Sequence, residues 1–110
     1  MLTEHQEQCL FVEWFEIQFP SIKFFAIPNG LRSSIGAAVK AKKEGLRTGV
    51  PDIYVPAWKL WIEFKRSKGG VLSPAQKEWR DYLISIGDGY ILAHGFNDAT
   101  VKLIEFLDSL

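Results

Sequence analysis

A chain of 110 residues has room for one domain, so we expect a single domain over residues 1–110. A composition that is 47% hydrophobic and 24% charged excludes a disordered chain, and no apolar run is long enough to span a bilayer. The single Cys9 excludes an internal disulfide and a cysteine-based zinc cluster. The opening "MLTEHQEQ" lacks the pattern of a signal peptide, which favours a cytosolic protein.

The formal net charge is zero, but the charges are unevenly distributed. Residues 21–68 carry ten Lys or Arg against three acidic residues, whereas residues 1–20 carry four Glu and no basic residue. A basic middle segment is typical of a surface that binds a polyanion. Solvated surface lysine produces the same pattern, and charge alone does not separate the two.

The hydrophobic periodicity and the turn residues predict eight elements in the order α-β-α-β-β-α-β-α. They are a helix over 4–18, a strand over 23–27, a helix over 34–44, strands over 52–55 and 60–65, a helix over 73–86, a strand over 89–93 and a helix over 98–107. This order indicates an α/β fold with a mixed β-sheet flanked by helices.

Capping residues mark where the predicted helices begin. Thr3 with Gln6, and Ser73 with Gln76, form the capping box that opens a helix. The remaining helices have single candidate caps, which are Ser33 or Ser34 for the second helix and Asn97 for the last.

The strand "LWIEFK" places a charged pair on one face of the sheet. Alternate side chains of a strand share a face, so Leu60, Ile62 and Phe64 point toward the core. Glu63 and Lys65 then lie together on the opposite face, separated by roughly 6.5–7 Å along the strand.

A hairpin between the two middle strands predicts the partner of Glu63. A four-residue loop over Pro56 to Lys59 pairs residues whose numbers sum to 115, so Asp52 lies opposite Glu63. The Cβ atoms of such a pair are about 4.5–5.5 Å apart. A β-bulge would break this register.

Two adjacent carboxylates suit a hard divalent cation with oxygen ligands, Mg²⁺ or Mn²⁺. The Lys65 ammonium could then orient a water or offset charge on a phosphate, which is the arrangement expected for phosphodiester hydrolysis. A simpler interpretation is the solvated face of a half-buried sheet, on which Asp52 forms a salt bridge with Lys65. The pattern Asp…Glu-x-Lys is by itself weak.

Several segments in the same order resemble the VRR-NUC domain, a family of the PD-(D/E)XK nuclease superfamily. They are "GVPD", "WIEFKRSKGG", "LSPAQKEW" and "GY", with "IPNG" and the opening helix "EHQEQCLFVEW" upstream. The similarity is to the stand-alone phage and bacterial members and extends from about residue 4 to residue 96. It implies the restriction-endonuclease-like α/β core, with an inserted helix near residues 34–44.

The resemblance also implies roles for individual residues. Asp52, Glu63 and the backbone carbonyl of Phe64 would hold the metal, and Lys65 would assist catalysis. Gln76 matches a glutamine near the family's active site, although its capping box explains it equally well. An acid on the first helix would complete the site, either Glu7, which we favour, or Glu4.

Basic residues around this site could contact a nucleic-acid backbone, which positions a substrate without reading its sequence. They are Arg32, Lys40, Lys42, Lys43, Arg47, Arg66 and Lys68. We find no zinc finger, recognition helix or aromatic single-strand platform in the sequence, and therefore expect recognition of DNA shape.

The function implied by the resemblance is a Mg²⁺- or Mn²⁺-dependent DNA endonuclease that acts on branched DNA in the manner of a Holliday-junction resolvase, in the cytosol of a bacterium or a phage host. A homodimer would suit the two-fold symmetry of a four-way junction. Two alternatives stay open. One is a flap or nicking nuclease of DNA repair, and the other is a non-catalytic nucleic-acid-binding module.

Overall fold

The computed structural model of the chain describes residues 1–28 and 34–110. The elements in chain order are α1 (Glu4–Gln18), β1 (Phe25–Ala26), α2 (Ile35–Lys43), β2 (Ile53–Val55), β3 (Leu60–Lys65), α3 (Pro74–Ser85), β4 (Gly89–His94) and α4 (Phe96–Asp108). This is the predicted order, so the predicted α/β class is confirmed. Within the described ranges, no helix has both the length and the apolarity to cross a membrane.

The four strands form one mixed sheet in the order β1-β2-β3-β4. The pairs β1–β2 and β2–β3 are antiparallel, and β4 runs parallel to β3. One face of the sheet is apolar and packs against α1 and α4 in a core built from Phe11, Phe15, Phe64 and Leu103. The rings of Phe11 and Phe64 lie 5.3 Å apart, which joins α1 directly to β3. The opposite face is therefore available for the polar site.

The pairing of β2 with β3 has the predicted register. Ile53 lies opposite Ile62 and Val55 lies opposite Leu60, so the partner numbers sum to 115. A turn of 3-10 helix over Pro56–Trp58 makes the connection, and Lys59 closes it in the left-handed region at φ 48°. Because no bulge interrupts the register, Asp52 is brought opposite Glu63, just beyond the end of β2.

The start of α4 differs from the prediction that Asn97 caps it. The N-cap is Gly95, which has no side chain to offer, and the helix begins at Phe96. The Phe96 N–H instead donates to Glu7 Oε1 of α1 at 3.1 Å. The prediction was wrong because the capping carboxylate comes from a residue distant in sequence.

The segment from β1 to α2 has a short strand and an exposed helix. The first strand is only two residues long, because β1 pairs with β2 through Phe25–Tyr54 and Ala26–Ile53 alone. The cap of α2 is Ser34, whose side chain accepts from the Ala37 N–H, whereas Ser33 lies outside the described residues. No residue of α2 is buried.

Gly49 docks the entry of β2 onto α3. Its φ of +92° is rarely adopted by residues with a side chain, and an added Cβ would lie 2.7 Å from the Ala75 carbonyl carbon. Only glycine therefore allows the chain before Asp52 to touch the first turn of α3.

We predict that Gly49→Ala destabilises the protein by about 1–3 kcal/mol, because it adds both backbone strain and a clash. Urea denaturation measures the change. Gly36→Ala is the matched control, since nothing lies within 4 Å of a Cβ at Gly36 on exposed α2. That variant should unfold at the wild-type urea concentration or a higher one. An unchanged midpoint for Gly49→Ala would contradict the close approach.

Candidate active site

The backbone pairing of β2 with β3 ends before Asp52, although the Asp52 carbonyl still accepts from the Ile27 N–H on the other side. The Asp52 side chain replaces the missing contact with β3. Asp52 Oδ2 accepts a hydrogen bond of 2.7 Å from the Phe64 N–H. If the register continued, Pro51 would face Phe64, but proline has no N–H to donate to the Phe64 carbonyl. The two features orient the Asp52 carboxylate beside Glu63 and prevent Pro51 from pairing with that carbonyl.

Glu63 is an acid buried without full hydrogen bonding. The residue is 2% exposed, and its Oε1 atom has no hydrogen-bond partner among the described residues. A buried polar atom that makes no hydrogen bond costs free energy, so such atoms are uncommon and often indicate a bound ion or a functional role. The solvated-face interpretation therefore does not describe Glu63.

The surroundings of Glu63 favour its protonated form. The pKa of Glu63 is raised to about 9, first by burial and then by the hydrogen bond and the negative charge of Asp52. The positive charge of Lys65 acts in the opposite direction and lowers this pKa. Without a cation, a proton therefore neutralises part of the charge of the two acids.

The donor set fits a hard divalent cation. Two neighbouring carboxyl groups, one with an oxygen that lacks a partner, are what Mg²⁺ or Mn²⁺ uses when it keeps several water ligands. Among the described residues, no three His, Cys, Asp or Glu side chains are grouped so as to hold a metal. The structure thus brings together Asp52 and Glu63 as a pair of acids.

Lys65 is half-buried at the end of β3 and is held in place by the loop that follows. A Cβ added to Gly70 would lie 2.9 Å from the Lys65 Cβ and 3.3 Å from its Cδ, so the Gly70 backbone packs on the lysine side chain. Lys65 also lines an open cleft of about 590 Å³ together with Glu4 and Arg66. Its ammonium is therefore directed by packing and lies within electrostatic range of Glu63.

The two acids of α1 have different environments. The Glu7 carboxylate is buried and accepts from the Phe96 N–H, and it lies so close to Gly95 that a Cβ there would be 2.5 Å from Glu7 Oε2. Glu4 is exposed in the cleft beside Lys65, and its charge raises the pKa of Glu63. Glu7 thus acts as a cap for α4, whereas Glu4 lies in the cleft with Lys65.

Gln76 forms the predicted capping box of α3. Its Oε1 accepts from the Ser73 N–H at 2.8 Å, and its own N–H donates to Ser73 Oγ at 3.2 Å. The box uses the amide oxygen and leaves the two donors of the side-chain amide to other partners. Since Gly49 joins this turn of α3 to the entry of β2, both interpretations of Gln76 stay compatible with the structure.

The predicted basic contacts fall into two groups. Lys40, Lys42 and Lys43 are exposed on α2, while Arg66 and Lys68 are exposed in the loop after Lys65. Arg47 donates to the carbonyls of Lys42 and Leu46 and so closes the end of α2. Arg32 lies outside the described residues.

Comparisons with known proteins were made for the whole chain. No protein-family profile and no curated protein matches the sequence. A solved structure described as a VRR_NUC domain protein matches 98% of this chain and 90% of its own, at a TM-score of 0.82 and 24% identity. The chain has the fold of a VRR_NUC domain protein. The fold implied by the sequence resemblance is confirmed, and the site assignments stay predictions.

Within this VRR_NUC-like fold, one polar residue at the site was missed from the sequence. Tyr90, the parallel partner of Trp61, has a buried hydroxyl with no hydrogen-bond partner in the structure. Burial and then the negative charge of Glu63 raise the pKa of Tyr90 above its ordinary value, so the phenol stays protonated. The segment "GY" was part of the resemblance, but nothing in the sequence showed that this hydroxyl is buried near Glu63.

The raised pKa of Glu63 predicts how the stability of the metal-free protein depends on pH. Between about 4.5 and 9 the folded state holds a proton that the unfolded state has lost, so the free energy of unfolding falls as pH rises through this range. Below about pH 4.5 the stabilisation that Glu63 protonation gives the folded state is fully present. Urea denaturation in EDTA should show the fall in wild type and a smaller one in Glu63→Gln. Equal slopes in both proteins would contradict the buried-acid assignment.

We predict that Glu7→Ala destabilises the protein by about 1–2 kcal/mol, because α4 loses its cap and Phe96 loses its hydrogen-bond acceptor. Thermal denaturation measures the effect. Glu13→Ala is the matched control, since Glu13 is an exposed glutamate of the same helix. Equal melting temperatures of Glu7→Ala and Glu13→Ala would contradict the role of Glu7 as the cap of α4.

Proposed function

We propose that this protein is a metal-dependent nuclease that hydrolyses phosphodiester bonds of DNA. The observation that carries the proposal is the pairing of half-buried Asp52 with buried Glu63, whose Oε1 makes no hydrogen bond to the described residues, with Lys65 within electrostatic range. The VRR_NUC fold supports this interpretation. A purely structural pair of acids would be expected to satisfy all of its buried oxygens.

The acidic pair would hold Mg²⁺ or Mn²⁺, with the backbone carbonyl of Phe64 as a further oxygen ligand. When bound, such a cation polarises the phosphate and makes water a stronger nucleophile near neutral pH. Asp52 is fixed for this role by its bond to the Phe64 N–H, and Glu63 gives up its proton when the cation binds.

Lys65 would act on the reacting groups. Its ammonium can orient the attacking water or offset the negative charge that builds on the phosphate oxygens. In the hydrolysis, the water oxygen forms a bond to phosphorus, the bond from phosphorus to the leaving ester oxygen breaks, and that oxygen gains a proton. The packing of Gly70 on the Lys65 side chain limits the conformations of the lysine near the site.

Glu4 is a better candidate than Glu7 for the acid that completes the site. Glu4 lies in the cleft with Lys65 and acts electrostatically on Glu63, whereas Glu7 is committed to the start of α4. We propose that Glu4 reaches the cation directly or through a water. The role expected of Glu7 then becomes that of a residue that fixes α4 against α1.

The substrate we propose is branched DNA, recognised by shape through the exposed basic residues of α2 and of the loop after Lys65. A homodimer would place two such sites on the two strands of a four-way junction, as a Holliday-junction resolvase requires. A nuclease that cuts flaps or nicks single strands is the second candidate for the same chemistry.

The proposal predicts Mn²⁺-dependent cleavage of branched DNA by the wild-type protein. Glu63→Ala and Lys65→Ala should each lower the cleavage rate by about 100-fold or more. Lys65→Ala should retain metal binding in calorimetry, whereas Glu63→Ala should lose it. Lys77→Ala, a lysine exposed on α3, serves as the charge-matched control and should cut at the wild-type rate.

Several results would contradict parts of this account. Wild-type protein that binds junction DNA but never cuts it would identify a non-catalytic binding module. Full activity in Lys65→Ala would remove the lysine from the mechanism. Paired cuts on a four-way junction support the resolvase, and cuts confined to flaps support the repair nuclease.

The assignment of the third acid gives a separate prediction. Glu4→Ala should weaken Mn²⁺ binding and lower the cleavage rate without changing the melting temperature by more than a few degrees, because the side chain is exposed. Glu7→Ala should show the reverse, with lower stability and nearly normal Mn²⁺ affinity at a temperature where it is folded. If Glu7→Ala instead loses Mn²⁺ affinity while Glu4→Ala keeps it, Glu7 would be the third acid that binds the metal.

A further inference from the structure

A row of four aromatic side chains crosses the entire sheet. Phe25 of β1 is the direct partner of Tyr54 of β2, Tyr54 pairs with Trp61 of β3, and Trp61 pairs with Tyr90 of β4. We call these four residues the aromatic row. The ring centroids of Tyr54 and Trp61 are 4.2 Å apart, and those of Phe25 and Tyr54 are 5.8 Å apart.

The aromatic row lies on the same face of the sheet as the acidic pair. Tyr54 follows Asp52 by two residues and Trp61 precedes Glu63 by two, so each pair shares a face. Two residues along a strand correspond to about 7 Å. The row is therefore one step along the strands from the acids proposed to hold the cation.

One end of the aromatic row is covered and the other is open. The Tyr90 hydroxyl is buried, and α3 packs against β4 at this end of the row. At the other end Phe25 is 50% exposed, and Tyr54 and Trp61 are only half-buried. The open part is thus a set of partly exposed aromatic rings, one step along the strands from the acids.

The indole of Trp61 is held in a fixed orientation. Its Nε1 donates to Asp88 Oδ2 at 2.9 Å. Cross-strand aromatic pairs commonly stabilise a sheet, and the covered contact of Trp61 with Tyr90 is explained in this way. Phe25 pairs with Tyr54 in the same way, but it lies at the edge of the sheet and leaves half of its surface in water.

The charges around the row fit a polyanion with bases. Lys23 is exposed two residues before Phe25, and Lys65 lies on the same face at the far end of β3. Successive bases stack on aromatic side chains with little dependence on sequence, while basic residues contact the phosphates. A single strand of nucleic acid presents both kinds of group, and a base-paired duplex hides its base faces.

We propose that the open part of the aromatic row binds the unpaired bases of a single-stranded DNA segment and leads that strand to the acidic pair. This inference rests on the proposed nuclease function, and it favours the flap-cutting candidate over the resolvase, because a four-way junction has no unpaired strand next to the cut. It differs from the sequence expectation of no aromatic single-strand platform, because the open rings come from three separate strands and form no local motif.

Binding of a fluorescein-labelled oligothymidylate to the full chain in EDTA tests the proposal without any cleavage. Tyr54→Ala and Phe25→Ala should each weaken binding by about 10-fold, which corresponds to the loss of one stacked base. Tyr54→Phe should restore wild-type affinity. Tyr82→Ala is the matched control, because Tyr82 is 56% exposed on α3, away from the row, and this variant should bind normally.

Wild-type affinity in both Tyr54→Ala and Phe25→Ala would overturn the proposal, and if Tyr54→Ala fails to fold, Phe25→Ala alone decides. A wild-type dimer in sedimentation that becomes monomeric in Phe25→Ala, with unchanged oligothymidylate affinity, would overturn it in favour of an interface between two copies. Failure of the proposed nuclease function would look different. If Tyr54→Ala weakens oligothymidylate binding but the wild-type protein cleaves no substrate with Mn²⁺, the binding proposal is supported and the nuclease function is refuted.

Discussion

The pairing of β2 with β3 up to Pro51 is the constraint on which the site depends. The unbroken register brings Asp52 opposite Glu63, and the missing N–H of Pro51 ends the ladder at that point. The Asp52 carboxylate then accepts a hydrogen bond from the Phe64 N–H. Glu63 is buried, and its Oε1 makes no hydrogen bond to the described residues. A folded sheet tolerates this arrangement if a proton, or a cation in its place, neutralises the pair.

The rest of the fold holds this strained arrangement in place. The aromatic core between α1, α4 and the sheet fixes the apolar face of β3, so Glu63 stays on the opposite face beside Asp52. Gly49 anchors the entry of β2 on α3, and Gly70 packs on Lys65. Glu7 joins α1 to the start of α4. Each of these contacts limits how far the acids can move apart to escape their mutual repulsion.

Local pattern was sufficient to predict the sheet, the hairpin register and the pairing of Asp52 with Glu63, because alternation and loop length act over a few residues. The contacts that were missed are distant in sequence. Glu7 caps α4 from 89 residues away, a distance at which no capping motif can be read. The aromatic row draws one residue from each of four strands. Burial of the Tyr90 hydroxyl depends on α3 and the sheet together.

The most direct test of the account is anomalous diffraction from crystals soaked with Mn²⁺. We predict a peak in contact with Glu63 Oε1 and an Asp52 oxygen, and its absence from Glu63→Gln crystals prepared in the same way. A peak at other acids, or a structure in which Glu63 Oε1 bonds only to protein while the crystals hold Mn²⁺ elsewhere, would contradict the account.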